Sequence, residues 1–187
     1  MAAIEIAKAH LLPDGPRLTR DHMIVRREQP RDADAIRAVH DAAFGGTGEG
    51  RLVDALREAG KLVVSLVAER DGQVVGHVGF SPITCAAPGQ GFGLAPLGVR
   101  PHAQRQGIGA QLVKEGLAAV ARCDAGFVVV LGDPRYYARF GFGPASARGL
   151  SDEFRGGDAF QVIELRQGAI PPGVGLVRYA PEFLLVA

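Results

Sequence analysis

Leu97–Gly109, LGVRPHAQRQGIG, is the stretch whose reading decides the fold. A strand runs out at Val99, a turn follows, and a helix opens on two glycines, Gly107 and Gly109. Glycine inside a helix costs roughly 1 kcal/mol against alanine, so two in one first turn call for a reason. Close approach of a ligand to the backbone is the usual one, since a helix N-terminus offers free N–H groups and a positive dipole end that together hold phosphate. The competing account is that both are packing glycines.

Working outward from this stretch, Leu62–Glu69 reads as a strand, Asp71-Gly72 as a hairpin turn, and Gln73–Thr84 as the returning strand with Pro82 near its end. Pro88–Gln90 turns the chain into Gly91–Val99, a glycine-rich strand interrupted by Pro96. Gln106–Arg122 follows as a helix, with Ile108, Leu112, Val113, Leu117 and Val120 on its buried side. Phe127–Leu131 (FVVVL) is fully apolar, as a strand covered on both faces would be. Pro134–Phe140 is a short helix with Pro134 in its first turn. Phe142 starts a strand or bulge, Gln161–Arg166 is another strand, and Gly175–Tyr179 a further candidate. Upstream, Met23–Glu28 is a strand, and Asp32–Phe44 and Glu49–Ala59 are helices with Gly60 as a stop. The order β-α-α-β-β-β-α-β-α-β, with antiparallel hairpins first and a crossover later, predicts an α/β (α+β mixed) sheet with helices on its faces. Residues 1–21 read as an N-terminal extension, residues 22–187 as one domain, and 145–187 as its strand-bearing C-terminal part.

Composition narrows the function classes. Of 187 residues, 47% are apolar and 22% charged, and Lys+Arg 21 against Asp+Glu 20 leaves +1. That balance gives no general attraction to nucleic acid or to a membrane surface. The longest stretch without Asp, Glu, Lys or Arg, Gly72–Val99, spans 28 residues but holds seven glycines and three prolines. A membrane helix so interrupted would strand its backbone polar groups. Glu5 and Lys8 break the apolar run that a signal peptide would need. The two cysteines, Cys85 and Cys123, have no metal spacing, so a cytoplasmic, metal-free protein is expected.

Three phosphate motifs compete for the central stretch. No Gly-Lys-Ser/Thr exists, so the P-loop is absent. The dinucleotide fingerprint fails because Leu112 stands where its third glycine belongs. The pattern Q/R-x-x-G-x-G/A is met by Gln104-Arg105-Gln106-Gly107-Ile108-Gly109. With a strand before it, FVVVL after it, and Tyr137 separated by three residues from Gly141-Phe142, the sequence resembles the GNAT superfamily of N-acetyltransferases. The runs LGDPRYYARFGFGPA and FQVIELRQGAIPPGVGLVRYAPEF resemble one bacterial branch of it, and the resemblance extends from about Met23 to the C-terminus.

The resemblance implies a mostly antiparallel sheet splayed between two parallel strands, binding acetyl-CoA as cosubstrate. It implies that the pantetheine arm pairs with Leu97, Gly98 and Val99 as an added strand would. Pyrophosphate would take the amides of Gln106, Gly107, Ile108, Gly109 and Ala110, within the loop that begins at Gln104. Arg105 reads equally as a phosphate contact or a solvated turn residue; Arg139 reads as a surface or helix-end charge before a CoA ligand. Tyr137 would protonate the departing thiolate, its alternative being an aromatic anchor; Tyr136 would pack or line the cofactor site. Where many relatives carry Asn this chain has Gly132-Asp133, and Asp133 would cap the next helix.

The general base is less determined. Glu49, in the loop bordering the acceptor site, reads as a helix-start acid first and as a base for a cationic amine second. His77 reads as a buried, hydrogen-bonded histidine, and both cysteines as inert thiols. Phe44–Gly50 holds four glycines in seven residues, which predicts a pliable loop shaping the amine site with Phe44 and Glu49. The leading expectation is direct acetyl transfer to a primary amine of a small molecule or peptide, with a homodimer open. The alternative is an acyl-CoA-binding or sensing module without turnover.

Overall fold

Asp71 and Gly72 both have positive φ, 50° and 76°, the geometry a two-residue hairpin demands of its central positions. The hairpin they close joins β2 (Val64–Arg70) to β3 (Gln73–Pro82) in antiparallel register. The computed structural model describes residues 23–85, 90–170, 173 and 175–186. The expected extension, residues 1–21, and most of the turn at Pro88–Gln90 lie outside the described residues.

β1 (Met23–Arg27) lies antiparallel to β2 on one side of the hairpin, and β4 (Gln90–Val99) antiparallel to β3 on the other. β5 (Ala125–Leu131) then joins β4 in parallel. The two-residue β6 (Gly143–Pro144) and β8 (Phe160–Glu164) complete a seven-stranded sheet in the order β1-β2-β3-β4-β5-β8-β6. β7 (Leu150–Asp152), which no pattern in the sequence announces, pairs in parallel with β9 (Gly175–Val177) as a separate small sheet. The uncharged stretch Gly72–Val99 is therefore mostly the two strands β3 and β4 where it is described. Among the described residues no helix is long and apolar enough to cross a membrane.

β4 and β5 pair only from Gln90↔Ala125 to Gly93↔Val129. Beyond that point β4 stays with β3 up to Val99, while Val130 and Leu131 of β5 stay with β8. The two parallel strands diverge, and the expected splay is in place.

Helices cover both faces. α3 (Ile108–Ala121) packs Ile108 and Leu112 into the space left by the missing side chain of Gly76. His77, the next residue, points to the opposite face and bonds His40 of α1 (Ala33–Phe44), which packs on α2 (Gly48–Glu58). β5 is buried on both faces: Val128 and Val130 join the core under α3, Phe127 and Val129 the core shared with Leu52, Leu56, Tyr179 and Phe183. That is the physical reason for its unbroken apolar run.

Two local expectations are corrected. Phe44–Gly50 is mostly helix: Gly45, at φ 74°, caps α1, and α2 begins at Gly48. A Cβ on Gly50 would lie 2.7 Å from Asp41 Oδ1 and 2.9 Å from Arg37 Cγ. These two glycines serve a left-handed cap and a close helix crossing rather than pliability. Likewise α3 opens at Ile108, with Gly107 as its N-cap at φ 85°, and the short helix α4 (Pro134–Tyr137) tightens into a 3-10 turn at Ala138–Phe140.

Candidate active site

The opening between β4 and β5 has the backbone of β4 as one wall. Arg100 donates its N–H to the Val75 carbonyl on β3 at 2.9 Å. Backbone groups alternate sides along a strand, so those of Gly98 also face β3, while those of Leu97 and Val99 face the opening. The Val99 carbonyl is taken by the Gln104 side-chain amide at 3.0 Å. Leu97 presents N–H and C=O to the opening, where β5 no longer pairs with β4. A bulge sets this edge: Ala95 and Pro96 together oppose the single residue Gly79.

The loop Gln104–Gly107 forms the second wall. Its glutamines brace it: Gln106 Nε2 donates to the His102 carbonyl at 3.0 Å, and Arg70 donates to Gln106 Oε1 at 2.7 Å. Arg105 and Gly107 have positive φ, 59° and 85°, and Gln106 between them does not. Alternating handedness turns successive amides toward one side and makes an anion-binding concavity. The first intrahelical bond runs from Gln111 N–H to the Gly107 carbonyl at 3.0 Å. The amides of Ile108, Gly109 and Ala110 therefore precede the helix's own acceptors. The two glycines have separate reasons. A Cβ at Gly107 would meet nothing within 4 Å, and only its φ demands glycine. A Cβ at Gly109 would lie 2.8 Å from the Tyr136 hydroxyl. Each glycine thus has a reason within the protein itself, the left-handed φ at Gly107 and the Tyr136 hydroxyl at Gly109.

α4 supplies the third wall. Asp133 Oδ1 accepts from the Arg135 N–H at 2.9 Å and caps the helix, as its position suggested. Tyr137 is 8% exposed and its ring lies on Gly132, where a Cβ would approach to 2.4 Å. Gly132 thus makes room for Tyr137. Burial pushes the Tyr137 hydroxyl above its ordinary range, so it is a protonated donor at neutral pH. Tyr136 stacks edge-on against it at 5.0 Å. The Arg139 guanidinium lies 4.5 Å from the centre of the Tyr136 ring, which gives that charge an aromatic partner.

The first and third of these walls border a cavity of about 710 Å³ that Leu97, Tyr136, Tyr137, Phe44 and Glu49 all line. Gln104–Ala110 stand outside its lining, next to Tyr136. The sequence did not point to Phe154, Tyr179, Phe183 and Val186, which also line it. The last two belong to the C-terminal segment, where a Cβ on Gly48 would sit 3.1 Å from Val186 Cγ1. A chain end returning onto the start of a helix leaves no periodic mark in a sequence.

A buried polar chain runs behind β4. Ser65 donates to the Glu28 carboxylate, and the His77 Nε2 lies 2.8 Å from Ser65 Oγ. Since that hydroxyl proton goes to Glu28, His77 Nε2–H is the donor to Ser65, and His77 Nδ1 must accept from His40 Nε2 at 2.8 Å. His40 Nδ1 is left as an acceptor with no partner among the described residues, buried over Gly98. Burial depresses both histidines, His40 to about 4, which keeps the pair neutral. His77 is the hydrogen-bonded core histidine that its sequence context suggested. Among the described residues no group of three or more His, Cys, Asp or Glu could hold a metal ion.

The family described as acetyltransferase (GNAT) domain matches residues 24–145. An uncharacterized N-acetyltransferase of Escherichia coli, YhbS, is 42% identical over 164 residues, covering 86% of this chain and 98% of that protein. Its crystal structure in complex with CoA superimposes with a TM-score of 0.86 at 38% identity, covering 92% of this chain and 98% of the other. A GNAT acetyltransferase from Brucella melitensis in complex with acetyl-CoA gives 0.74 at 40% identity, covering 88% and 99%.

Proposed function

The chain belongs to the GNAT N-acetyltransferases, and from that membership we propose that it moves the acetyl group of acetyl-CoA directly onto a primary amine, with Tyr137 as the acid. The observation that carries this reading is the sharing of one cavity by the unpaired edge of β4 at Leu97 and the protonated hydroxyl residue Tyr137. CoA and acetyl-CoA in the two related structures support the choice of donor.

The residues fit such a donor. Leu97 N–H and C=O stand where an added strand would pair, which suits a pantetheine amide. The concavity at Arg105–Gly107 and the amides of Ile108, Gly109 and Ala110 suit a diphosphate. Tyr136 packs against Gly109 and holds the cavity and the loop together. Bound acetyl-CoA supplies an activated thioester. The neutral amine nitrogen forms the new C–N bond as the C–S bond breaks. The proton on Tyr137 Oη goes to the departing sulfur, and the proton lost by nitrogen restores the phenol. Glu49 sits across the cavity and serves to attract and orient the ammonium form before it deprotonates.

Tyr137→Phe tests the reading. It should leave acetyl-CoA affinity unchanged by calorimetry and lower kcat on the order of 10²-fold, as loss of a general acid does. Tyr136→Phe should change kcat far less. Equal kcat for Tyr137→Phe and the parent on one acceptor makes Tyr137 structural.

A further inference from the structure

Besides Leu97 and Tyr137, the cavity is lined by Phe44, Leu52, Phe154, Tyr179, Phe183 and Val186. Four of these six are aromatic. Phe154, Tyr179 and Phe183 stack in a row, with ring centres 5.7 and 4.9 Å apart. At the mouth, Phe44 is 49% and Val186 39% exposed, so the apolar wall continues outward to solvent. Two carboxylates reach this cavity. Asp133 belongs to the cofactor side, where it caps α4. Glu49 belongs to the acceptor side and has no hydrogen bond or ion pair to any described residue.

Tyr179 adds a second polar group. Its ring is seated on Gly93, where a Cβ would come within 2.8 Å, so β4 fixes its position. Its hydroxyl is buried and has no hydrogen-bond partner among the described residues. A buried hydroxyl is ordinarily satisfied, and one without a partner on a residue that lines a cavity is available to a ligand atom or an ordered water. Burial also raises its pKa, so the group is a neutral phenol able to donate or to accept.

Resting on the acetyltransferase reading above, we propose that the acceptor is a small primary amine carried on an apolar, ring-sized body. The body lies against Phe154, Phe183 and Phe44, the ammonium group pairs with Glu49, and Tyr179 Oη completes its hydrogen bonds to the amine. The chemistry excludes the polar alternatives. A polyamine or an amino sugar brings further ammonium or hydroxyl groups, and an apolar wall with one carboxylate would strip their water and return nothing. Cavities of this size bury drug-sized ligands, and part of this one must hold the thioester end of the donor. What remains suits one ring and a short amine-bearing chain. Specificity here has the usual form of such sites: many apolar contacts and few polar groups that fix orientation.

The test uses 2-phenylethylamine, spermidine and a lysyl peptide as acceptors at saturating acetyl-CoA, with acetyl-CoA binding measured separately by calorimetry. The expected result is a kcat/KM at least about 10-fold higher for 2-phenylethylamine than for either of the others, the size of effect that one apolar pocket contact supplies. Calorimetry of 2-phenylethylamine against the CoA-saturated protein should show binding without turnover. That binding should weaken about 10-fold in Glu49→Gln and several-fold in Tyr179→Phe, which keeps the ring and removes only the hydroxyl. Acetyl-CoA binding with spermidine or the lysyl peptide preferred overturns the acceptor class alone. Unchanged amine binding in Tyr179→Phe overturns the assignment of that hydroxyl. Failure of acetyl-CoA to bind at all overturns the acetyltransferase reading, and this inference with it.

Discussion

Acidification should unfold this protein through its two buried histidines before its carboxylates protonate. His40 has an ordinary pKa of 6.5 when unfolded and about 4 when folded, because burial disfavours its charged form. Folded pKa below unfolded pKa means that the unfolded chain binds the proton first. Stability is therefore complete above about pH 6.5 and falls as pH drops toward 4. At 1.36 kcal/mol per unit the full loss for His40 is about 3 kcal/mol, of which about 2 kcal/mol is gone between about pH 7.5 and 5. His77, depressed first by burial and then by its neighbours His40 and Arg57, adds a loss of the same sign. The carboxylates do not confuse this window. Asp32, held low chiefly by its hydrogen bond to Arg26, and Glu164 and Glu182, held low chiefly by Arg148 and Lys61, lose their contribution only below their ordinary values of 3.8 and 4.5. Urea unfolding at several pH values between about 5 and 7.5 reads the slope directly, at up to about 1.4 kcal/mol per pH unit for each histidine. His40→Asn should remove one proton's worth of that slope, whatever it does to stability at neutral pH. A stability that is flat or rises on acidification, or an unchanged slope in His40→Asn, refutes the neutral buried pair.

Two further outcomes follow from the geometry. Gly98→Ala would place a Cβ 2.7 Å from His40 Nδ1, on a ring already pinned by His77 and stacked on Phe44, so it should cost about 1–3 kcal/mol in urea unfolding. Acetyl-pantetheine, which lacks the diphosphate, should bind more weakly than acetyl-CoA by calorimetry, on the order of 10-fold or more, if the amides of Ile108–Ala110 hold the phosphates; equal affinities would remove that role from the loop.

Much of the fold was legible because its signals are local. The Asp71-Gly72 turn, the apolar run of β5 and the glycines around α3 each act within a few residues. The physical reason behind the glycines was not local: Gly109 answers to Tyr136, Gly132 to Tyr137 and Gly50 to Asp41. The part of the candidate site proposed for the cofactor could be named from sequence for the same reason, since Leu97–Ala110 and Tyr136–Tyr137 form two short runs. The part proposed for the acceptor comes from three distant stretches of chain, residues 44–52, Phe154 and residues 179–186, which no single periodic pattern joins. His40 did carry a signal. It stands four residues after Ile36 and four before Phe44, so the buried stripe of α1 passes through it. The unpaired edge of β4 follows from a bulge and a broken parallel register, and neither has a sequence mark beyond Pro96.

A crystal structure of the protein with acetyl-CoA tests the central claim most directly. The pantetheine amide should lie about 3 Å from the Leu97 backbone, the diphosphate on the amides of Ile108–Ala110, and Tyr137 Oη within hydrogen-bond reach of the thioester sulfur. Acetyl-CoA bound elsewhere, or in the opening with Tyr137 turned away from the sulfur, would contradict it.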